Sequence, residues 1–234
     1  MSHLKQIEPA MGPSASYGRP QIAVKRADST PTGGVWKRML DIAVSLVAIV
    51  LLSPLLIGVA VIVKLTSKGA VFYGHGRIGH NGTTFKCWKF RTMVSDSDAA
   101  LRRYLEQNPD ARAEWDQDRK LKNDPRITKI GKTLRDLSID ELPQLFNILK
   151  GEMSIVGPRP VVMDELEKYG RSAVFYLKSR PGLTGLWQIS GRNDVSYERR
   201  VLLDRFYVVN WSFFKDLRII LKTVPAVLGS RGSY

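Results

Sequence analysis

A chain of 234 residues is long enough for one substantial domain with an accessory segment. Its single cysteine, Cys87, excludes a disulfide framework and a thiolate metal cluster, and three histidines, His3, His75 and His80, are too few and too poorly placed for a zinc site. A formal net charge of +14 calls for a polyanionic partner (nucleic acid, an anionic membrane or phosphorylated substrates), and composition does not choose among them.

Residues 1–34 mix prolines, glycines and scattered charges without a sustained period and read as a disordered tail. From Ile42 to Val63 runs an uncharged apolar stretch of membrane length. It starts too far in, and is too long, for a signal peptide. Ser53-Pro54 falls at its centre, where proline removes a backbone hydrogen bond and bends a helix. Its flanks are equally basic, Lys37 and Arg38 before it and Lys64 and Lys68 after it, so the asymmetry that orients a spanning helix is missing. A kinked span and a helix that dips into one leaflet and returns fit these residues equally well.

Val71 to Met93 predicts a β-hairpin around the tight-turn signal His80-Asn81-Gly82. Phe85, Cys87, Lys89 and Arg91 should share one face of its second strand, placing two cations side by side, as solvated charges or as a phosphate clamp. Ser95 to Lys122 is a charged helical excursion broken at Pro109, and Asn123 to Thr128 turns into a cationic helix, Lys129 to Arg135. Ser138 and Glu141 form a capping-box pattern, so a helix is predicted from Ser138 to Gly151, with Leu142, Leu145, Phe146 and Leu149 as its apolar face. The adjacent carboxylates Asp140 and Glu141 would then lie in the first turn, where the helix dipole favours both ionised. Arg159 follows between Pro158 and Pro160, whose fixed φ angles aim it at low entropic cost. The same pattern alone also suits a mere cap with an arginine ion-paired to it.

Val162 to Tyr169 is helical, and Arg180 to Asn193 alternates turns with a short strand, with Arg180 and Arg192 near its ends. Ser196 to Leu228 is amphipathic helix, in which Tyr197, Phe206, Tyr207, Trp211, Phe213 and Phe214 interleave with six Arg and Lys residues. Aromatics beside cations suit a bilayer headgroup zone. A single-stranded nucleic-acid platform, the competing reading, loses ground beside an apolar anchor.

Lys37-Arg38 with Asp41, the central Ser53-Pro54, Lys89-Phe90-Arg91-Thr92-Met93, Asp140-Glu141-Leu142-Pro143-Gln144, Gly157-Pro158-Arg159-Pro160, Arg180-Pro181-Gly182 and Gly191-Arg192-Asn193 occur in that order. The ordered set, over roughly residues 36–234, resembles the bacterial sugar transferase family, the monotopic polyprenyl-phosphate phosphoglycosyl transferases, and its ending is similar to the undecaprenyl-phosphate galactose phosphotransferases. The resemblance implies an α+β fold. A re-entrant membrane helix broken at Ser53-Pro54 would occupy residues 35–68, and a small cytosolic α/β catalytic domain, with the β-hairpin and amphipathic interfacial helices, residues 69–234.

The implied reaction moves a sugar 1-phosphate from a UDP-sugar to undecaprenyl phosphate and releases UMP, as the first membrane step of exopolysaccharide synthesis. Galactose is the expected sugar, with glucose or an N-acetylhexosamine as alternatives. By the same analogy Asp140 is a nucleophile that forms a covalent phospho-sugar, Glu141 holds Mg²⁺ and Arg159 binds phosphate. Lys89, Arg91, Arg180 and Arg192 are further substrate-binding candidates. The implied setting is the bacterial inner membrane, with the catalytic domain on its cytoplasmic face. Downstream glycosyltransferases and a second copy of the chain are the implied protein partners, and nucleic acid is not one. A membrane-tethered anionic-polymer binder or a structural scaffold would leave Asp140 and Glu141 without a purpose.

Overall fold

The computed structural model describes residues 30–118, 121–191 and 195–228, so the expected tail up to residue 29, Arg192 and Asn193 lie outside the described residues. The end of that tail is already anchored, because the Thr32 N–H donates to the Lys178 carbonyl at 2.9 Å. Helix α1 (Gly34–Thr66) is a single run of 33 residues with Pro54 inside it, where the sequence predicted a break. Pro54 cannot donate to the carbonyl four residues back, that of Val50, and the Ser53 hydroxyl donates to it instead at 2.8 Å. The Ser-Pro pair therefore carries its own repair, which lets helical geometry continue through the proline.

Both ends of α1 dock on the rest of the chain. Near its start the Lys37 ammonium meets Asp216 at 2.6 Å, and both are buried. Asp41 accepts hydrogen bonds from the Ile155 N–H and the Ser154 hydroxyl, each at 2.9 Å. Arg38 donates to the Ile148 and Leu149 carbonyls. Near its end Val59 and Val63 pack on Phe90 and Leu134. Between these contacts Val47, Val50, Leu51, Ile57 and Val61 are exposed, an apolar face suited to lipid.

Strands β1 (Phe72–Ile78) and β2 (Thr84–Phe90) form the expected antiparallel hairpin, with Tyr73 opposite Lys89, His75 opposite Cys87 and Arg77 opposite Phe85. Asn81 and Gly82 take positive φ in its turn, as that dipeptide favours. Lys89 and Arg91 do not project side by side. Arg91 lies past the end of β2 and donates to the Ser67 carbonyl and hydroxyl at 2.9 and 2.8 Å, holding the C-terminus of α1. The charged excursion is α2 (Ser97–Gln107) and α3 (Pro109–Asp118), separated at Asn108 before Pro109, and α4 (Lys129–Asp136) is capped by the Thr128 hydroxyl.

The predicted helix from Ser138 is shorter than its pattern. Ser138 sits at φ 56°, in the left-handed region, and its hydroxyl caps nothing. A 3₁₀ turn, Ile139–Glu141, follows, and α5 spans only Gln144–Lys150. Two facts explain the difference. The chain reverses tightly out of α4, and Pro143 lacks an N–H and would crowd the Ile139 carbonyl in a continuous helix. The end of α5 is as expected, with Gly151 at φ 86°.

Strand β3 (Ser154–Val156) pairs in parallel with β4 (Gly182–Thr184) beyond the short helices α6 (Met163–Glu167) and α7 (Ala173–Leu177). Here Gly182 has no room for a side chain: an added Cβ would lie 2.1 Å from the Gly157 nitrogen. The predicted last helix is two, α8 (Tyr197–Val209) and α9 (Phe213–Leu228). Leu145, Ile148, Met153, Val156, Tyr207 and Ile219 form the core joining these layers. Trp36, Phe206 and Phe214 remain exposed.

Candidate active site

Asn147 of α5, fully buried, brings the hairpin to the carboxylates. Its side-chain oxygen accepts the Trp88 N–H at 3.0 Å and its amide donates to the Lys86 carbonyl at 2.7 Å, which satisfies the open edge of β2. Lys89, one rung further, then faces the 3₁₀ turn. Its ammonium donates to Glu141 Oε1 at 2.6 Å and lies 3.8 Å from Asp140 Oδ2, too far for a hydrogen bond.

The turn gives the adjacent carboxylates different environments. Asp140 is buried, whereas the Glu141 side chain is 32% exposed at the rim. Burial pushes the Asp140 carboxyl up to about 6; Lys89 pulls it back, Glu141 pushes it further, and Arg135 opposes that push. Dipole stabilisation of both groups, expected from a full helix, is therefore overridden at Asp140. Burial also acts to raise Glu141, but Lys89 and then Arg159 outweigh it and hold that carboxyl below its ordinary value. At neutral pH the pair offers one poorly solvated, ionised oxygen nucleophile and one firmly anionic cation holder.

Arg159 follows β3, exposed, with its guanidinium 5.7 Å over the Trp187 ring, on which Arg200 also lies at 4.7 Å. Beneath it is Asp204, 2% exposed and bonded to the Tyr169 hydroxyl at 2.8 Å. Burial pushes the Asp204 carboxyl up to about 7, against the pull of the Tyr169 hydroxyl and the Arg159 backbone N–H. The prolines and Asp204 thus hold the arginine by its backbone, and the Trp187 ring lies under its guanidinium.

The structure brings together Asp140, Glu141 and Lys89, with Arg159 close enough to lower Glu141. It does not bring Arg91 or Arg180 to them. Arg91 is engaged at the end of α1, and Arg180 Nε donates to the Gly151 carbonyl at 2.8 Å, at the far end of α5 from the carboxylates. Arg192 lies outside the described residues. Three residues missed in the sequence border the site. Arg135 donates to the Thr92 hydroxyl at 2.8 Å and draws Asp140 down, while Arg77 and His75 stand on the same side of the hairpin as Lys89. The signal for the last two was the period-two alternation of the first strand. Among the described residues no three His, Cys, Asp or Glu side chains form a metal cage.

Residues 32–230 match the family described as bacterial sugar transferase. The chain is 61% identical over 204 residues to the exopolysaccharide production protein ExoY of Rhizobium meliloti (strain 1021), covering 87% of this chain and 90% of that protein. It is 51% identical over 199 residues to an undecaprenyl-phosphate galactose phosphotransferase of Salmonella typhimurium, covering 85% of this chain and 41% of that longer protein. It is 41% identical over 198 residues to a UDP-glucose:undecaprenyl-phosphate glucose-1-phosphate transferase of Klebsiella pneumoniae, covering 81% of this chain and 39% of that one.

Proposed function

The chain belongs to the bacterial sugar transferase family and is a phosphoglycosyl transferase, and on that premise we propose that it transfers galactose 1-phosphate from UDP-galactose to undecaprenyl phosphate through a covalent intermediate on Asp140. The observation that carries this reading is the division of labour within one turn: a buried Asp140 raised towards neutrality beside a rim Glu141 that stays ionised. An Asp140 oxygen attacks the sugar-bearing phosphorus, and the bond from that phosphorus to the UMP oxygen breaks, its electron pair leaving with UMP. An oxygen of undecaprenyl phosphate then attacks the same phosphorus, and the acyl-phosphate bond breaks to return the carboxylate. Arg159, with its fork exposed, takes up the phosphoryl oxygens, and Lys89 lies beside them.

Glu141, ionised at the rim, would hold a Mg²⁺ ion, a hard cation that proteins commonly meet with one or two carboxylates. When bound there, the ion neutralises diphosphate charge. Galactose is favoured over glucose because the galactose-named relative is the more similar of the two. The pathway is exopolysaccharide synthesis, after the name of the 61% identical relative.

For α1 the proposed topology is re-entrant, with both ends and the catalytic domain on the cytoplasmic face of the inner membrane. A straight 33-residue helix is about 50 Å long, beyond a hydrocarbon core of about 30 Å. Yet both of its ends are held by the rest of the chain, Lys37 by Asp216 and the Ser67 carbonyl by Arg91, and the basic residues flank it on both sides. Cysteine labelling near residues 36 and 70, in a Cys87→Ser background, should report the same side; labelling from opposite sides means a span.

Intact-mass measurement of the enzyme with UDP-galactose and no lipid tests the chemistry. A single phospho-sugar adduct, absent in Asp140→Asn, is expected. Glu141→Gln should keep the nucleophile and weaken Mg²⁺ dependence, with partial recovery at high Mg²⁺. An adduct on Glu141 reverses the assignment, and no adduct, with kinetics that need both substrates bound at once, means direct transfer.

A further inference from the structure

The hairpin presents more than Lys89 to the carboxylates. In an antiparallel pair, directly opposed residues lie on the same face, so Tyr73, His75 and Arg77 of β1 line up beside Lys89, Cys87 and Phe85 of β2. The two rows differ in fate. Phe85 and Cys87 are sealed into the core, while His75 and Arg77 are half-buried on a strand whose other side has no strand partner among the described residues. Arg77 reaches far enough to draw Glu141 down, and at its far end it meets Glu165 of α6 at 3.5 Å. The groups acting on His75 are Arg77 and Lys89, with Glu165 opposing them.

We propose that His75 and Arg77 form the subsite for the leaving nucleotide, Arg77 holding the phosphate of the departing uridine monophosphate and His75 hydrogen-bonding to it. This rests on the phosphoglycosyl transfer above and extends it to the half of the donor that is not transferred. As the phosphorus–oxygen bond to UMP breaks, charge grows on a phosphate that leaves with no acceptor bond of its own. A guanidinium fork on the neighbouring strand, opposite Phe85 and four residues along the register from Lys89, meets that charge, and Lys89 with Arg159 serves the transferred phosphoryl group. Burial, followed by Arg77 and Lys89, holds the His75 pKa down, so its imidazole is neutral at pH 7 and offers a hydrogen bond without adding another full charge. The Glu165 pair is loose at 3.5 Å and its carboxylate side chain is 39% exposed, so Arg77 exchanges it for phosphate without stranding a buried charge.

The test is product inhibition by UMP, measured on the full chain in membranes or detergent. Arg77→Gln and His75→Ala should each raise the UMP inhibition constant, by at least tenfold for Arg77→Gln. Both should slow adduct formation from UDP-galactose while leaving transfer from preformed adduct to lipid phosphate unchanged. Glu165→Gln, which removes the same ion pair but keeps the guanidinium, should leave UMP inhibition within twofold of the wild type. Unchanged inhibition in both subsite variants overturns the assignment, as does an equal rise in Glu165→Gln, which makes Arg77 a mere tether for α6. If Arg77→Gln does not fold, His75→Ala decides alone. Failure of the wild type to release UMP from any UDP-sugar sinks the parent reading instead, so the two failures are distinguishable.

Discussion

Two lysine–carboxylate clusters sit in this molecule, built from nearly the same residues and doing opposite work. At the start of α1, Lys37, Asp41 and Asp216 are sealed from solvent, and the carboxylate that takes the lysine, Asp216, is saturated. Asp216 alone accepts from Lys37 at 2.6 Å, the Tyr207 hydroxyl at 2.6 Å and the Trp211 indole at 3.0 Å. At the hairpin, Lys89, Asp140 and Glu141 are under-coordinated, with Asp140 3.8 Å from its cation and Glu141 partly wet. Saturation makes a lock and removes reactivity; a buried carboxylate left short of donors stays available as a nucleophile. The lesson is that coordination number, more than residue type or burial, separates a structural ion pair from a chemical one.

The comparison is broken most sharply by removing one carboxylate from the reactive cluster. Asp140→Asn should lower turnover at least 10³-fold, about 4 kcal/mol of transition-state stabilisation. The same change should stabilise the fold. A carboxyl pKa raised to about 6 means the folded state holds the proton more tightly than the unfolded chain. The penalty is absent below pH ~4, grows between about 4 and 6, and is fully present above, reaching up to about 3 kcal/mol. Thermal unfolding should therefore show Asp140→Asn gaining about 1–3 kcal/mol at pH 8 and almost nothing at pH 4. A loss of stability at pH 8 would mean that Asp140 is held as securely as Asp216.

In the saturated cluster the expected sign reverses. Lys37→Met leaves a buried, multiply bonded carboxylate without its cation and should destabilise by about 3–4 kcal/mol. The double variant Lys37→Met with Asp216→Asn should recover part of that. Urea or thermal unfolding in detergent reads both, and an unaltered single variant would mean the pair contributes nothing to docking. The smallest effect sharpens the comparison rather than breaking it. Arg159→Lys should reduce catalytic efficiency at least tenfold, about 1.4 kcal/mol, because a point charge cannot reproduce a planar fork. Its unfolding midpoint should not move, since the side chain is exposed.

What was legible in the sequence was local. The Asn81-Gly82 turn, the Gly151 stop, the break before Pro109 and the apolar run each carry their signal within a few residues, and the structure places each where that signal lies. The capping box at Ser138 failed for an equally local reason, since Pro143 and the reversal out of α4 outweigh a cap pattern. The site's pairings are another matter. Lys89 meets Glu141 across 52 residues, and Arg38 reaches Ile148 across 110. No periodicity encodes such distances. Arg91 and Arg180 sit in motifs as arginine-rich as Arg159's, and only their partners show that one ties down α1 and the other caps α5.

The longest of these pairings has a consequence for how the protein is made. Lys37 and Asp216 are 179 positions apart, so at bacterial-like elongation rates of ~5–20 residues per second the lysine waits about 10–35 s on the ribosome for its partner. For the later part of that interval the apolar helix has left the tunnel while the charges meant to seal its base remain unmatched. Insertion must therefore precede docking: the bilayer receives the helix first, and the lock closes only when the last two helices arrive. A chain stopped before Asp216 would be inserted but never latched, which makes the C-terminal helix the step that commits a nascent chain to its finished form.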